Sequence, residues 1–506
     1  MKMNSQLSAS VILAAVLCAG TAQADVTPEQ VWQEWKDYYG SMGGMVTAAS
    51  ETRDGDTLVI KNAKWSQGTD ATAKSEMTLP EIRLTDKGDG TVEMTVPEQS
   101  ELTVAVTPPE GGVTTNAVKM AQKGLSIIAS GTVDSMDYTF AAPELTFSVD
   151  KVTAEGKDQP VSIQINAKGT SGTSHVEKSG GRTTTGSMKA DQVGLTVKGT
   201  APDSGETFDA SLNLDGVTST TSGTVPEAVE MADINAAMKN GFVSMGDIAY
   251  ASGAFKLDTA GADGNVAAEG SNGGGKMMFS MSKDGFSYAT ESSDGKLSVT
   301  GPMPFPVEAS IAQTAFSVAM PIMKSDTPQP ATALLKLVDL KVSDALWNMA
   351  DPAGKLPHDP ATVVLDLSGS LKPLIDLFDP KQAEEFAKQP ADGAVGSPPP
   401  PIELSSVKIN DLHVKAVGAD LTGTGDVTLD NSTTPPKPVG AIEMNLTGAN
   451  KLMDGLVGMG LLAEDQVMGY KMMLGMFTVP KGEDAVTSKL EFKEDGGIYA
   501  NGQRLQ

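Results

Sequence analysis

The sequence predicts a mainly β protein with a few helices, in which long, curved antiparallel sheets form two lobes capped by short amphipathic helices. Two observations carry that expectation. Apolar residues return at every second position, as in Val92, Met94 and Val96, in Leu102, Val104 and Val106, in Val193, Leu195 and Val197, and in Met277, Phe279 and Met281. Period two puts such side chains on one face of a pleated strand and leaves Thr, Ser, Lys and Asp on the other. Between the runs stand Asp54-Gly55, Asp89-Gly90, Asp263-Gly264, Asp284-Gly285 and Asp294-Gly295, dipeptides that reach the φ > 0 of a tight hairpin at low cost. Composition agrees: 53 glycines and 5% aromatics suit turns and half-exposed strands better than a large helical core.

The first 24 residues read as an export leader. A basic start (Lys2) precedes the apolar run 11–17, and Ala22-Gln23-Ala24 has the small-x-small pattern of a signal-peptidase site, so cleavage is expected after Ala24. The run is too short for a permanent membrane anchor. Leu17 ahead of Cys18 is too bulky for a lipoprotein signal, and Cys18 is the single cysteine, so the mature chain would hold no disulfide and no thiolate nucleophile. A cysteine-free exported chain points to the periplasm. The net charge of -26 excludes nucleic acid as a natural partner, because phosphate binding needs clustered Lys and Arg, and it favours solubility.

In order, Thr27-Pro28-Glu29-Gln30 starts a helix, with Thr as N-cap, Pro in the first turn and Gln three residues after the cap. Trp32, Trp35 and Tyr39 follow at helical spacing, so this helix should cover one end of a sheet. Strands fill 46–217, with the polar segment 169–187 expected as a hairpin tip or mobile loop. Residues 226–241 are expected as a connecting helix between an N-terminal β lobe (25–225) and a C-terminal β lobe (242–506). Within the latter, 343–347 and 381–388 read as short helices, and the run of prolines in 389–401 as a loop or spacer. Segment 447–477 is the least polar of the mature chain. Gly455, Gly458 and Gly460 break it, so two short helices fit better than a membrane span.

Three stretches resemble domain-of-unknown-function family 2125: Leu356-Pro357-His358-Asp359-Pro360-Ala361, Gly440-Ala441-Ile442-Glu443-Met444-Asn445-Leu446 and Gly497-Ile498-Tyr499-Ala500-Asn501-Gly502-Gln503. The resemblance implies an exported α-proteobacterial protein and supplies no catalytic or binding residues. More distantly, the strand repetition is similar to AsmA-like envelope proteins, whose curved sheets offer an apolar groove to lipids.

Motifs of known chemistry do not assemble. The glycine-rich run 270–275 before Lys276 ends on Met277, so the Mg²⁺-binding hydroxyl of a phosphate loop is missing, and a strand follows where that loop needs a helix. Ser280-Met281-Ser282-Lys283 fits Ser-x-x-Lys but sits in a strand rather than at a helix start. His175, His358 and His413 are too scattered for a metal site, and His358 reads as part of a Pro-flanked turn. Methionine is the unusual residue, at 26. Met468, Met472, Met473 and Met476 lie on one side of a helix. Core packing by flexible thioethers accounts for them, while an adaptable apolar ligand surface and, more weakly, a Cu(I) site are the sharper readings.

The functional expectation is a non-enzymatic periplasmic envelope protein without a cofactor, binding a lipid or similar apolar molecule in a sheet groove with those four methionines as candidate contacts. The alternative is a structural or interaction protein that docks another envelope protein. The lipid expectation follows from an imbalance: a sheet with one apolar face must cover it, and the predicted helices are too few.

Overall fold

The computed structural model describes residues 26–68, 73–107, 113–154, 157–201, 204–227, 233–262, 264–303, 305–388, 400–433 and 435–505. The expected leader (1–24) and residues 389–399 of the expected Pro-rich loop lie outside them. The protein is mainly β, with 64% strand against 13% helix. The described helices are α1 (Pro28–Ser41), α2 (Ile234–Lys239), α3 (Asp344–Ala350), α4 (Pro380–Ala387), α5 (Ala449–Gly458) and α6 (Glu464–Phe477).

The chain forms two compact units, Met1–Glu269 and Gly270–Gln506. The division falls later than the expected connecting helix at 226–241. Pro226 ends the strand Thr207–Pro226, residues 228–232 of the expected helix lie outside the described ones, and α2 is Ile234–Lys239. Strands Val243–Tyr250 and Ser252–Gly261 then pair with the two halves of Thr207–Pro226, which stitches them into the first unit's ladder.

In the first unit, α1 opens with the predicted reciprocal cap. The Gln30 N–H donates to Thr27 Oγ1 (3.3 Å), and the Thr27 N–H donates to Gln30 Oε1 (2.9 Å). Val31 and Trp32 of this helix, with Val26 before it, meet Leu58, Ile60, Leu79, Ile82, Leu84, Val92 and Tyr138 in one buried cluster. Ion pairs fix the helix to the hairpin beyond. Arg182 and Lys178 both bind Glu34, whose side chain is 3% exposed. These two cations come from the polar segment expected as a tip or loop. It holds the turn of the hairpin Val161–Lys178 with Gly181–Thr200, so a tip does lie there, but a packed one, in which Thr170, Ser174, Val176 and Arg182 are buried. Lys178 and Arg182 face the α1 carboxylate, so their polarity marks a partner rather than solvent.

The long strands carry a device that the dipeptides misled. Asp294-Gly295 is no turn. Asp294 lies inside the strand Gly285–Thr300 with φ +52°. Before it the inward positions are Phe286, Tyr288 and Thr290; after it they are Leu297 and Val299, out of phase by one. Asp339 (φ +54°) does the same between Leu335/Leu337 and Leu340/Val342, and Asn62 (φ +48°) between Leu58/Ile60 and Ala63/Trp65. One left-handed residue adds a step to the alternation, as a bulge does, and the apolar side chains come back to the same face. Asn and Asp tolerate that conformation. Gly169 (φ +59°) and Gly216 (φ +60°) serve in the first unit. At Gly169 a Cβ would stand 2.0 Å from Asp191 Oδ2.

Candidate functional site

The second unit is a ladder of antiparallel strands from Gly275–Ser282 to Ala485–Phe492. Residues directly opposite in such a ladder share a face, so the register can be followed across it. One row runs Met277, Thr290, Phe316, Leu335, Leu365, Leu412, Gly423, Met444, Ser488. The next runs Phe279, Tyr288, Val318, Ala333, Leu367, Ile409, Gly425, Ile442, Leu490, and the row on the other side includes Leu337, Val363, Val414, Leu421, Leu446 and Val486. These three rows hold hydroxyls but no carboxylate, imidazole or amine.

No apolar side chain of the three rows is buried. Phe316 is 45% exposed, Phe279 41% and Leu335 38%. Lys276, Glu291, Lys336, His413, Asn445 and Thr487 alternate with the first row and lie on the opposite face. The second unit therefore has a largely polar face, which also carries Met278, Leu334 and the buried Val364, and a wide apolar face that its described helices leave open. Its buried apolar side chains, among the described residues, are Ile322, Val364, Ile375, Phe386, Met453, Val467 and Ala500, none of them in the three rows.

The two predicted helices of segment 447–477 stand at one end of this ladder. Helix α5 starts after Gly448, which has no side chain to cap it. Asp484 takes over from the next strand connection: its carboxylate accepts from the N–H of Asn450 (3.0 Å) and of Lys451 (3.2 Å) and from Asn450 Nδ2 (2.9 Å). Burial works to raise the Asp484 pKa, but these donors together hold it below the usual carboxylate range. Helix α6 is tied down at its end. The carbonyl of Phe477 accepts from Ser488 Oγ (2.7 Å) and from Asn501 Nδ2 (2.9 Å). Ser488 belongs to the first apolar row, so α6 ends where that row ends.

Helix α6 buries Val467, with Leu474 and Phe477 half-buried. The four candidate methionines point elsewhere. Met468 is 68% exposed, Met472 66%, Met473 54% and Met476 58%. Core packing, the ordinary explanation for a methionine stripe, does not apply to them. What the sequence did not single out is the partner surface: Phe316, Leu335, Leu365 and Leu412 come from four different strands, and only the register brings them into one row.

The titratable residues of interest have local structural roles. His358 stacks on Trp347 with ring centroids 4.4 Å apart and an interplanar angle of 7°, within the Pro-flanked turn. Nearby Asp351 is buried, and the backbone N–H groups of Lys355 and Leu356 hold its pKa below the usual range. His175 Nδ1 lies 2.7 Å from Asp137, and His413 Nε2 lies 3.1 Å from Asp420. Ser280 lies within the strand Gly275–Ser282 and Lys283 directly follows its end. Among the described residues no three His, Cys, Asp or Glu side chains gather as a metal site, and no helix is long and apolar enough to cross a membrane.

No curated protein and no solved structure matches this chain. A family model does: residues 248–505, just over half of the chain and including the whole open face with α5 and α6, match the family described as "Uncharacterized protein conserved in bacteria". The chain belongs to that family, DUF2125.

Proposed function

We propose that the protein is a non-enzymatic component of the periplasm that binds a lipid or similarly apolar molecule along the open face of the second unit. The observation that carries this reading is the set of three apolar rows crossing the ladder with none of their apolar side chains buried. An apolar patch of this extent on a folded protein marks a site for something to cover it. Acyl chains suit it, because the surface is long, uniform in chemistry and lacks charged anchors. The leader supports the location, since the apolar segment and the Ala22-Gln23-Ala24 site route the chain out of the cytoplasm.

Two measurements test it. Protein recovered from the periplasm and extracted with solvent should yield lipid by mass spectrometry, and a fluorescent fatty acid should bind saturably. Phe316→Glu combined with Leu335→Glu puts two charges into the first row and should weaken that binding at least tenfold without unfolding the protein. Absence of both extracted lipid and saturable binding would end the proposal.

A further inference from the structure

We infer that α6 is a membrane-contacting ridge, by which the protein rests on a zwitterionic lipid surface at the mouth of its apolar face. The inference rests on the lipid-binding reading above and adds where the lipid enters. Helix α6 is inverted relative to an ordinary surface helix. Its small inward face (Val467, Leu474) holds it to the unit, and beyond an acidic first turn (Glu464, Asp465) its outward arc is rich in methionine. Met468, Met472 and Met476 form the i, i+4, i+8 line of that arc, with Met473 beside it. Exposed Leu461 (65%) and Val479 (46%) extend the apolar surface beyond both ends of the helix. From Met468 to Met476, at 1.5 Å per residue, the ridge is about 12 Å long.

Two features choose the occupant. The first is continuity. The carbonyl of Phe477 at the end of α6 is held by Ser488, a member of the first apolar row, so an acyl chain leaving a bilayer beside the ridge is delivered to the end of that row. The second is charge. The chain carries -26 overall, and the one cation of α6, Lys471, is paired with Asp454 at 3.0 Å. No polybasic cluster draws this surface to anionic headgroups. A neutral, zwitterionic surface imposes no such penalty. Flexible thioethers adapt to disordered acyl chains, and a helix lying in the interface needs no spanning length.

The test uses the intact protein and phosphatidylcholine vesicles. The protein should float with these vesicles, and floating should weaken when phosphatidylglycerol is mixed in at low salt. Mild peroxide oxidation, mapped by mass spectrometry, gives a reading without mutation. Vesicles should slow oxidation of Met468, Met472, Met473 and Met476 several-fold while leaving Met349 and Met45, which are 62% and 60% exposed, unchanged. The fourfold variant M468Q/M472Q/M473Q/M476Q, which alters exposed positions only, should lose at least tenfold in vesicle partitioning with an unchanged thermal melt. Phe316→Glu with Leu335→Glu should lose the soluble fatty-acid probe and still float. Flotation that survives in the fourfold variant, equal protection of Met349, or a Met-dependent dimer in place of flotation would each overturn the inference, whatever the outcome for the open face.

Discussion

In the first unit, α1 lays Val31 and Trp32 against the sheet, and Ile60, Leu84 and Tyr138 are buried beneath it. In the second, rows of the same residue types cross the ladder and no described helix buries them. The first unit shows the transition within a single row. Met120 is 2% exposed; Phe147, Ile165 and Leu195 follow half-buried, and the row ends at Leu212 (39%) and Phe255 (40%). The strand chemistry is the same in both places, and what decides burial is whether a helix arrives. Stability and binding capacity are thereby separated in the molecule: contacts that hold the fold concentrate under α1, whereas the open rows of the second unit contribute little to it.

That contrast predicts a graded set of effects. The largest belongs to Trp32→Ala, which empties a site 1% exposed and should cost about 3–5 kcal/mol in urea unfolding. Phe316→Ala, the matching truncation on the open face, should cost less than about 1 kcal/mol, since nearly half of that residue is already in water. Equal losses would erase the distinction between the units. Arg182→Ala comes next. It leaves Glu34 without its closest partner and should cost about 3 kcal/mol, against ~0.5 or less for breaking the exposed Lys388–Glu384 pair. A double-mutant cycle at each pair measures both.

Smaller effects sharpen the account of how the apolar face is kept continuous. Gly169→Ala places a Cβ into Asp191 at a left-handed position and should cost about 1–3 kcal/mol, whereas Asn62→Gly should be nearly neutral. Asp484→Ala should cost about 1 kcal/mol for the lost α5 cap. Because the pKa of Asp484 is depressed in the folded protein, its contribution is present above the unfolded pKa of about 4 and disappears as pH falls through the folded value. The variant should therefore show a flatter acid limb in thermal melts than the parent protein.

Much of the fold was legible, for local reasons. Period-two runs named the strands, Thr27 with Gln30 named the start of α1, and the glycines predicted two helices in place of one, although only Gly460 (φ +74°) stands in the break while Gly455 and Gly458 lie within α5. Three things were not legible. Asp294 was read as a hairpin because Asp-Gly serves a turn and a mid-strand left-handed step with the same φ, and only the phase of the flanking residues tells them apart. Residues 169–187 do hold a hairpin turn, but their packing was missed because the pattern of Thr and Ser does not reveal that Glu34 waits across the fold. The open face itself is a property of register between strands more than 200 residues apart, as Met277 and Ser488 show. Window-based periodicity gives which residues face inward, not which of them a helix will cover.

The uncovered rows also bear on how the molecule behaves in a crowd. Two such surfaces brought together would satisfy one another, so the protein carries a built-in tendency to stick to itself. Its surplus of 64 acidic over 38 basic residues opposes this by mutual repulsion. Salt shortens the reach of that repulsion to about 8 Å at physiological strength and about 3 Å at 1 M. Concentrated salt should therefore drive face-to-face clustering, visible as a rise in scattered light, and a bound acyl chain should prevent it.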